Sequence, residues 1–277
     1  MKRLCVIGDP VGHSLSPIMH NAALEHLGLQ HEFAFEKLRV TRDELVGFMS
    51  RLRKKEFSGI SVTMPHKTEI IPMLDWLSEE AGLIGAVNTV VPEGSMFVGH
   101  NTDGTGCIRA LEAAGVKVRG RTVAVLGAGG AARAIAVSLA LGHARKIFII
   151  NRTLAAAEKI AAIIKNIQAS DAEAVCLDSM QGALAESNVL VNATPVGMSG
   201  IEAETLVPKG LIRRNMDVFD IVYEPMETQL IKDAKNAGTR TIPGTEMLLH
   251  QGALQFKLFT GREAPIDVMR RALEEWH

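Results

Sequence analysis

The run Val123-Ala124-Val125-Leu126-Gly127-Ala128-Gly129-Gly130-Ala131-Ala132-Arg133-Ala134 constrains this chain more than any other segment. Four apolar residues lead straight into G-x-G-x-x-A, and the small residues after it read as the first turns of a helix. In such a unit Gly127 permits the tight turn, Gly129 lets a pyrophosphate approach the backbone, and Ala132 lets the helix pack closely. A second strand, Lys146 to Ile150, completes a unit of roughly 30 residues, the context that separates a dinucleotide fingerprint from a simple glycine turn. The fingerprint sits mid-chain, so a separate module precedes it. That module is expected to carry the reacting groups.

The second half continues the same pattern. Strand candidates Thr122 to Leu126, Lys146 to Ile150, Val189 to Asn192 and Met216 to Phe219 alternate with helical stretches such as Ala131 to Leu141 and Leu154 to Ile164. This order implies a parallel sheet covered on both faces. After the second strand comes Asn151-Arg152-Thr153, where an NAD site usually places an acid for the ribose hydroxyls. Arg152 suits a 2′-phosphate, with Asn151 and Thr153 adding hydrogen bonds, and NADP is favoured over NAD. The alternative is a solvated arginine at a helix start.

The totals narrow the partners. With 277 residues, 47% of them hydrophobic, the chain is long enough for two modest domains. A net charge of -1 gives no field for nucleic acid or an acidic membrane, so small molecules are the expected partners. Cys5, Cys107 and Cys176 are odd in number and lack zinc spacing, which argues against disulfides or a structural metal and for a reducing cytoplasm. Met1 to Pro10 reads as a first strand, and no later segment reads as a membrane span. His13, His20, His66 and His100 lack ligand spacing on one helix face, so capping or core hydrogen bonds describe them better than metal-dependent hydrolysis.

The first hundred residues are also of mixed type. Leu4 to Ile7, Phe33 to Leu38 and Gly59 to Thr63 read as strands, and Pro17 to Leu27 as a helix stopped by Gly28. Thr41 and Glu44 form a capping-box pattern ahead of a second helix. Asn88 to Val91 and Met96 to Val98 read as a hairpin around Pro92-Glu93-Gly94.

Four polar patches fall at loops and strand ends, where reactive groups are usually presented. In Gly12-His13-Ser14-Leu15-Ser16-Pro17, an extended backbone would turn both serine hydroxyls to one side as anchors for a carboxylate or polyol, with helix capping by Ser16 the alternative. In Ser61-Val62-Thr63-Met64-Pro65-His66-Lys67, alternation points Ser61 and Thr63 the same way, and Pro65 is expected to bring Lys67 near a helix start. A cation there is disfavoured by the helix dipole, which suits a proton-exchanging lysine; a solvated lysine is the alternative. Gly85-Ala86-Val87-Asn88-Thr89 and Gly99-His100-Asn101-Thr102-Asp103-Gly104 each offer an amide or carboxylate in a glycine-bearing turn, as an Asx-turn or as a ligand donor. Asp103 is a candidate partner for Lys67.

Taken in order, H-S-L-S-P with H-N following, V-T-M-P-H-K, G-A-V-N-T, N-T-D-G, G-A-G-G-A-A-R-A, N-R-T, N-A-T-P-V-G-M and Q-G-A-L-Q-F-K-L-F-T-G resemble the shikimate dehydrogenase family over nearly the whole chain. The resemblance implies NADPH-dependent reduction of 3-dehydroshikimate to shikimate. It also implies an α/β fold in which an N-terminal α/β substrate domain, residues 1–104 joined by C-terminal helices 245–277, accompanies a Rossmann-type parallel-sheet domain, residues 105–244. Carried over by motif, Ser14 and Ser16 bind the substrate carboxylate, with Thr63, Asn88, Tyr223 and Gln251 completing the pocket. Lys67 and Asp103 form the catalytic pair. Gly127, Ala128, Gly129, Gly130, Ala131, Asn151, Arg152 and Thr153 hold NADP, with Ile221 and Gly244 near the nicotinamide. Glu79 matches a position sometimes assigned to the cofactor, without a local reason for it. No metal is expected, and the chain is expected to be a monomer or homodimer.

Two positions depart from the pattern. Ser61 stands where the family usually has asparagine, which removes amide donors, alters the pocket and makes a bifunctional shikimate/quinate preference conceivable; the retained pair Ser14 and Ser16 argues against it. Leu154-Ala155-Ala156-Ala157 is neutral where a further basic residue often follows Arg152, which weakens the NADP preference without supplying the acid NAD would want. A non-catalytic nucleotide-binding regulator is the reading from another class, and the intact Ser14, Ser16, Lys67 and Asp103 argue against it.

Overall fold

Both halves of the chain alternate strand and helix, yet they build different sheets. The computed structural model describes residues 1–276. Its contacts divide the chain into Met1–Thr102 joined by the segment from Leu249 onward, and Asp103–Leu248.

The first unit contains β1 (Lys2–Gly8), α1 (Ser16–His26), β2 (Phe33–Arg39), α2 (Leu45–Arg53), β3 (Gly59–Val62), β4 (Trp76–Leu77), α3 (Glu79–Ile84), β5 (Thr89–Glu93) and β6 (Met96–His100). Its sheet has the order β2-β1-β3-β5-β6-β4 and is mixed. β1 runs parallel to β2 and β3, whereas β5 runs antiparallel to both β3 and β6. A tight hairpin joins antiparallel strands, so β5 alone runs against the sheet, and β6 with its parallel neighbour β4 resumes the direction of β1, β2 and β3. The turn is one residue later than the sequence suggests: Pro92 pairs with Phe97 and Glu93 with Met96, leaving Gly94, at φ 65°, and Ser95 as the loop. The capping pair makes half of its expected box. Glu44 accepts from the backbone N–H and the hydroxyl of Thr41, while helix α2 begins only at Leu45.

The second unit contains α4 (Asp103–Ala113), β7 (Thr122–Leu126), α5 (Gly130–Leu141), β8 (Lys146–Asn151), α6 (Leu154–Ile167), β9 (Asp171–Cys176), α7 (Met180–Glu186), β10 (Val189–Asn192), β11 (Asp217–Asp220), α8 (Gln229–Asn236) and β12 (Arg240–Ile242). Helix α9 (Gly244–Thr260) starts in this unit and ends in the first, where α10 (Ile266–Glu274) packs against α1. The sheet order is β12-β11-β10-β7-β8-β9, and every pairing is parallel. This is the doubly wound order, with its switch point between β7 and β10. Alternate residues of β7 explain it. Val123 and Val125 join a core with α4, α5 and α6, while Ala124 and Leu126 join a second core with α7 and α8. A strand buried on both faces reads as a continuous apolar run, as Thr122 to Leu126 does.

Candidate active site

In the first unit the hairpin brings two of the polar patches to one end. Asn88 directly precedes β5, and Thr102 follows β6 by two residues; the Asn88 N–H donates to the His100 carbonyl at 3.0 Å. The Asn88 side chain is buried and its orientation is fixed from both sides. Its Oδ1 accepts from the Thr102 N–H and from the Thr89 hydroxyl, each at 2.8 Å. Its Nδ2 donates to Thr102 Oγ1 at 2.8 Å and lies 3.4 Å from Gln251 Oε1. Gln251, in α9, is thereby joined to a residue 163 positions earlier. Thr102 was not singled out in the sequence, because a hydroxyl beside Asp103 carries no signal of its own.

Lys67 belongs to the same neighbourhood through its backbone. Its carbonyl accepts the Val87 N–H at 2.7 Å, which sets V-T-M-P-H-K beside G-A-V-N-T. It does not lie near a helix start. Residues 64–70 form successive turns, and the next helical element is the single 3-10 turn Ile71–Met73, so no helix dipole acts on it. His66, fully buried, donates through Nε2 to the Val40 carbonyl at 2.7 Å and is a structural residue. Thr63 lies one residue beyond β3, with its N–H bonded to the Ile7 carbonyl at 2.9 Å.

Ser14 and Ser16 are not on an extended backbone. Leu15 between them is helical, at φ -90° and ψ 0°, because helix α1 is already starting. Ser16 is its first residue and caps nothing; instead the Ser14 hydroxyl accepts the Ser16 N–H at 3.4 Å. Ser16 is buried and Ser14 half-buried. One turn further, Met19 abuts Gly252 of α9, where a Cβ would stand 2.0 Å from the methionine Cε. The glycine after Gln251 thus leaves room for the end of the Met19 side chain against α9. Ser61, expected to alter the pocket, is buried and donates its hydroxyl to Gln255 Oε1 at 2.8 Å. Glu79 is an exposed acid in the first turn of α3, where Ser78 caps the helix through the Ala81 N–H at 3.2 Å.

In the second unit the fingerprint is a turn with its own demands. Gly127 has φ 106°, and a Cβ there would stand 2.9 Å from the Ala193 carbonyl oxygen, so the loops after β7 and β10 touch at the switch point. Gly129 differs. A Cβ at this residue would meet nothing within 4 Å, so the chain's own packing does not require glycine. Gly129 is the N-cap of α5 and no side chain caps that helix, which leaves the first-turn amides of Gly130 and Ala131 for an anion. Open space at Gly129 and an uncapped helix start fit a pyrophosphate. At the end of β8, Asn151 donates to the Thr153 carbonyl at 3.0 Å, shaping the turn that presents exposed Arg152. That guanidinium fits a 2′-phosphate.

Beyond β11, the Ile221 N–H bonds the Asn192 carbonyl at 3.1 Å, and Gly244 packs so tightly that a Cβ would stand 2.5 Å from the Ile221 carbonyl oxygen. Buried Asp220 holds this corner. It accepts from Thr228 Oγ1 at 2.6 Å, Asn192 Nδ2 at 2.9 Å and the Val222 N–H at 3.1 Å. Burial raises its pKa above the ordinary carboxylate value, and those three hydrogen bonds oppose the rise. Nothing in the local sequence marked it, since D-I-V-Y reads only as a strand end. Tyr223, two residues after Ile221, is half-buried. Asp103 is buried as the first residue of α4 rather than in a turn. Burial, and to a smaller degree the Asp103 charge, raises the pKa of the Cys107 thiol one turn later, so it stays protonated.

No group of three or more potential metal ligands occurs among the described residues, and none of their helices is long and apolar enough to cross a membrane.

Residues 6–90 match the shikimate dehydrogenase substrate binding domain, residues 109–225 the shikimate / quinate 5-dehydrogenase family, and residues 244–274 the shikimate 5'-dehydrogenase C-terminal domain. A shikimate dehydrogenase (NADP(+)) from Alkaliphilus metalliredigens is 40% identical over 272 residues, covering 97% of this chain and 94% of the relative. Shikimate 5-dehydrogenase from Listeria monocytogenes, in complex with shikimate and NAD, superposes with a TM-score of 0.90 at 38% identity, over 99% of this chain and 96% of that one. Shikimate 5-dehydrogenase from Thermus thermophilus, in complex with NADP(H) and shikimate, gives 0.88 at 37% identity, over 99% of both chains. The chain belongs to the shikimate dehydrogenase family.

Proposed function

We propose that this chain is an NADP-dependent oxidoreductase that interconverts 3-dehydroshikimate and shikimate, holding the hydroxylated ring with the first unit and the dinucleotide with the second. One observation carries the reading: a single chain joins a buried, oriented Asn88, Thr102 and Gln251 cluster to an uncapped glycine turn at a Rossmann switch point.

A bound nicotinamide dinucleotide would supply the hydride. The chain's own residues then have three tasks. Ser14 and Ser16 hold the substrate carboxylate, while Thr63, Asn88, Tyr223 and Gln251 bind the ring hydroxyls, so that the reacting carbon is presented in one pose. Lys67 and Asp103 form the proton-transfer pair, an assignment resting on V-T-M-P-H-K and N-T-D-G. Lys67 delivers the proton to the C3 oxygen, or stabilises the alkoxide while water completes the relay. Gly127 to Ala131 hold the pyrophosphate, and Asn151, Arg152 and Thr153 hold the 2′-phosphate. Ile221 and Gly244 form the wall against the nicotinamide. The enzyme works in the cytoplasm, as three free cysteines suit a reducing compartment, and as a monomer or homodimer.

Initial rates of shikimate and quinate oxidation, each with NADP and NAD, test this directly. Shikimate with NADP is expected to give the highest kcat/KM of the four pairings. No turnover of shikimate with either cofactor would refute it.

A further inference from the structure

Ser61 stands one strand away from Asn88, yet its hydroxyl faces neither solvent nor a loop. It donates to Gln255 Oε1 at 2.8 Å, and both side chains are buried. That bond opens a chain of hydrogen bonds whose polarity is set by two backbone groups, the Asn88 carbonyl and the Thr102 N–H. The Asn88 carbonyl can only accept, so Gln255 turns Nε2 to it, donating at 3.1 Å and to Thr89 Oγ1 at 2.9 Å, and leaves Oε1 for the Ser61 proton. Thr89 Oγ1, now an acceptor, spends its one proton on Asn88 Oδ1 at 2.8 Å. Asn88 Oδ1 also accepts the Thr102 N–H, so both its acceptor directions are used and Nδ2 is turned toward Thr102 Oγ1 and Gln251 Oε1. A flipped Asn88 amide would set N–H2 against the Thr102 N–H and the Thr89 proton. A flipped Gln255 would set its oxygen against the Asn88 carbonyl, which can only accept, while the Ser61 hydroxyl would turn from donor to acceptor.

We infer that Ser61 is a positioning residue for substrate binding: it anchors the Gln255 carboxamide, which with Thr89 braces the Asn88 amide that faces Gln251. The inference rests on the proposed assignment of Asn88 and Gln251 to the substrate. It also gives the departure at Ser61 a purpose. A serine here lacks amide donors of its own, and its single proton is committed to Gln255 rather than to a ligand. Substrate recognition therefore reaches Ser61 indirectly, across 194 positions of sequence to Gln255 and back to Asn88.

Kinetics and binding of the Ser61→Ala and Ser61→Thr variants, alongside Thr89→Val and Thr89→Ser, test this in the full-length protein. Ser61→Ala is expected to raise KM for shikimate by about tenfold, the scale of one buried hydrogen bond, with kcat and KM for NADP nearly unchanged. Ser61→Thr, which keeps the hydroxyl, is expected to restore most of the loss. Thr89→Val should reproduce Ser61→Ala and Thr89→Ser should not, which keeps the test intact if one variant folds poorly. A fall in Tm with KM for shikimate within twofold of wild type would overturn the inference, because Ser61 would then only hold the sheet to α9. A parallel loss for shikimate and NADP would overturn it as well. Wild-type turnover separates the two levels: a wild-type enzyme that oxidises shikimate while Ser61→Ala is indifferent refutes this inference alone, whereas a wild type that neither turns over nor binds shikimate in calorimetry refutes the proposed function and this inference with it.

Discussion

The two candidate binding regions solve the same problem by opposite means. In the first unit, recognition is prepared by side chains that bond one another, Ser61 to Gln255, Gln255 to Thr89, Thr89 to Asn88 and Asn88 to Thr102, before any ligand arrives. In the second, the prepared surface is made by leaving side chains out: Gly127 at positive φ, Gly129 facing open space, and α5 without a cap. A side-chain network can dictate where each donor and acceptor points, as a ring with several hydroxyls requires. A bare helix start supplies amides and a positive potential, as a diphosphate requires. The first kind of site fails when one partner is changed, and the second when a side chain is added.

The largest effect separates chemistry from binding. Lys67→Ala is expected to lower kcat by about 10²–10⁴ while raising KM for shikimate far less, as removal of a proton-transfer group does. Stopped-flow or steady-state rates check it, and an unchanged kcat would remove Lys67 from the chemistry. Next come the two glycines. Gly129→Ala should leave Tm near the wild-type value but raise KM for NADP by about tenfold, since the added methyl meets only the space a pyrophosphate would enter. Gly127→Ala should instead lower stability by about 1–3 kcal/mol, because its φ of 106° and the Ala193 carbonyl at 2.9 Å both oppose a Cβ. Equal melting temperatures for the two variants would contradict the difference drawn between them.

An effect spread over several pH units lies in the first unit's core. His20 stacks on Phe35 with ring centroids 4.3 Å apart, and burial brings its pKa down to about 3, with Gln255 a lesser opposing influence. Its folded pKa lies below the unfolded value near 6.5, so the unfolded chain takes up the proton first. This contribution to stability is complete above about pH 6.5 and is lost as pH falls from there toward 3, at up to about 1.4 kcal/mol per pH unit. Urea melts at pH 7 and pH 5 should show this slope, and His20→Leu should reduce it. A pH dependence identical in both proteins would assign it elsewhere.

The same contrast explains what could be read from the sequence. The cofactor turn is local: strand, glycines and helix lie within about a dozen residues, and Gly127, Gly129 and Arg152 each announce a geometric or electrostatic need. The doubly wound sheet follows from the apolar strands that flank them. The substrate side is not local. Gln255 and Thr102 gain their meaning only when α9 returns to the hairpin, and no spacing rule joins residues 88 and 251. Turns were the other weak point. Pro65 suggested a helix at Lys67 where the chain makes successive turns, and Ser14 and Ser16 suggested an extended segment where α1 had already begun. In both places the polar residues were identified while their backbone was not, because capping and turn geometry depend on which neighbouring strand takes up the free N–H groups.

Division of labour between the two units is the central claim, and calorimetric titration of Gln251→Ala with shikimate and, separately, with NADP tests it most directly. Shikimate affinity is expected to weaken by about tenfold or more, with the Kd for NADP within about twofold of wild type. Equal weakening for both ligands, or an unchanged Kd for shikimate, would contradict it.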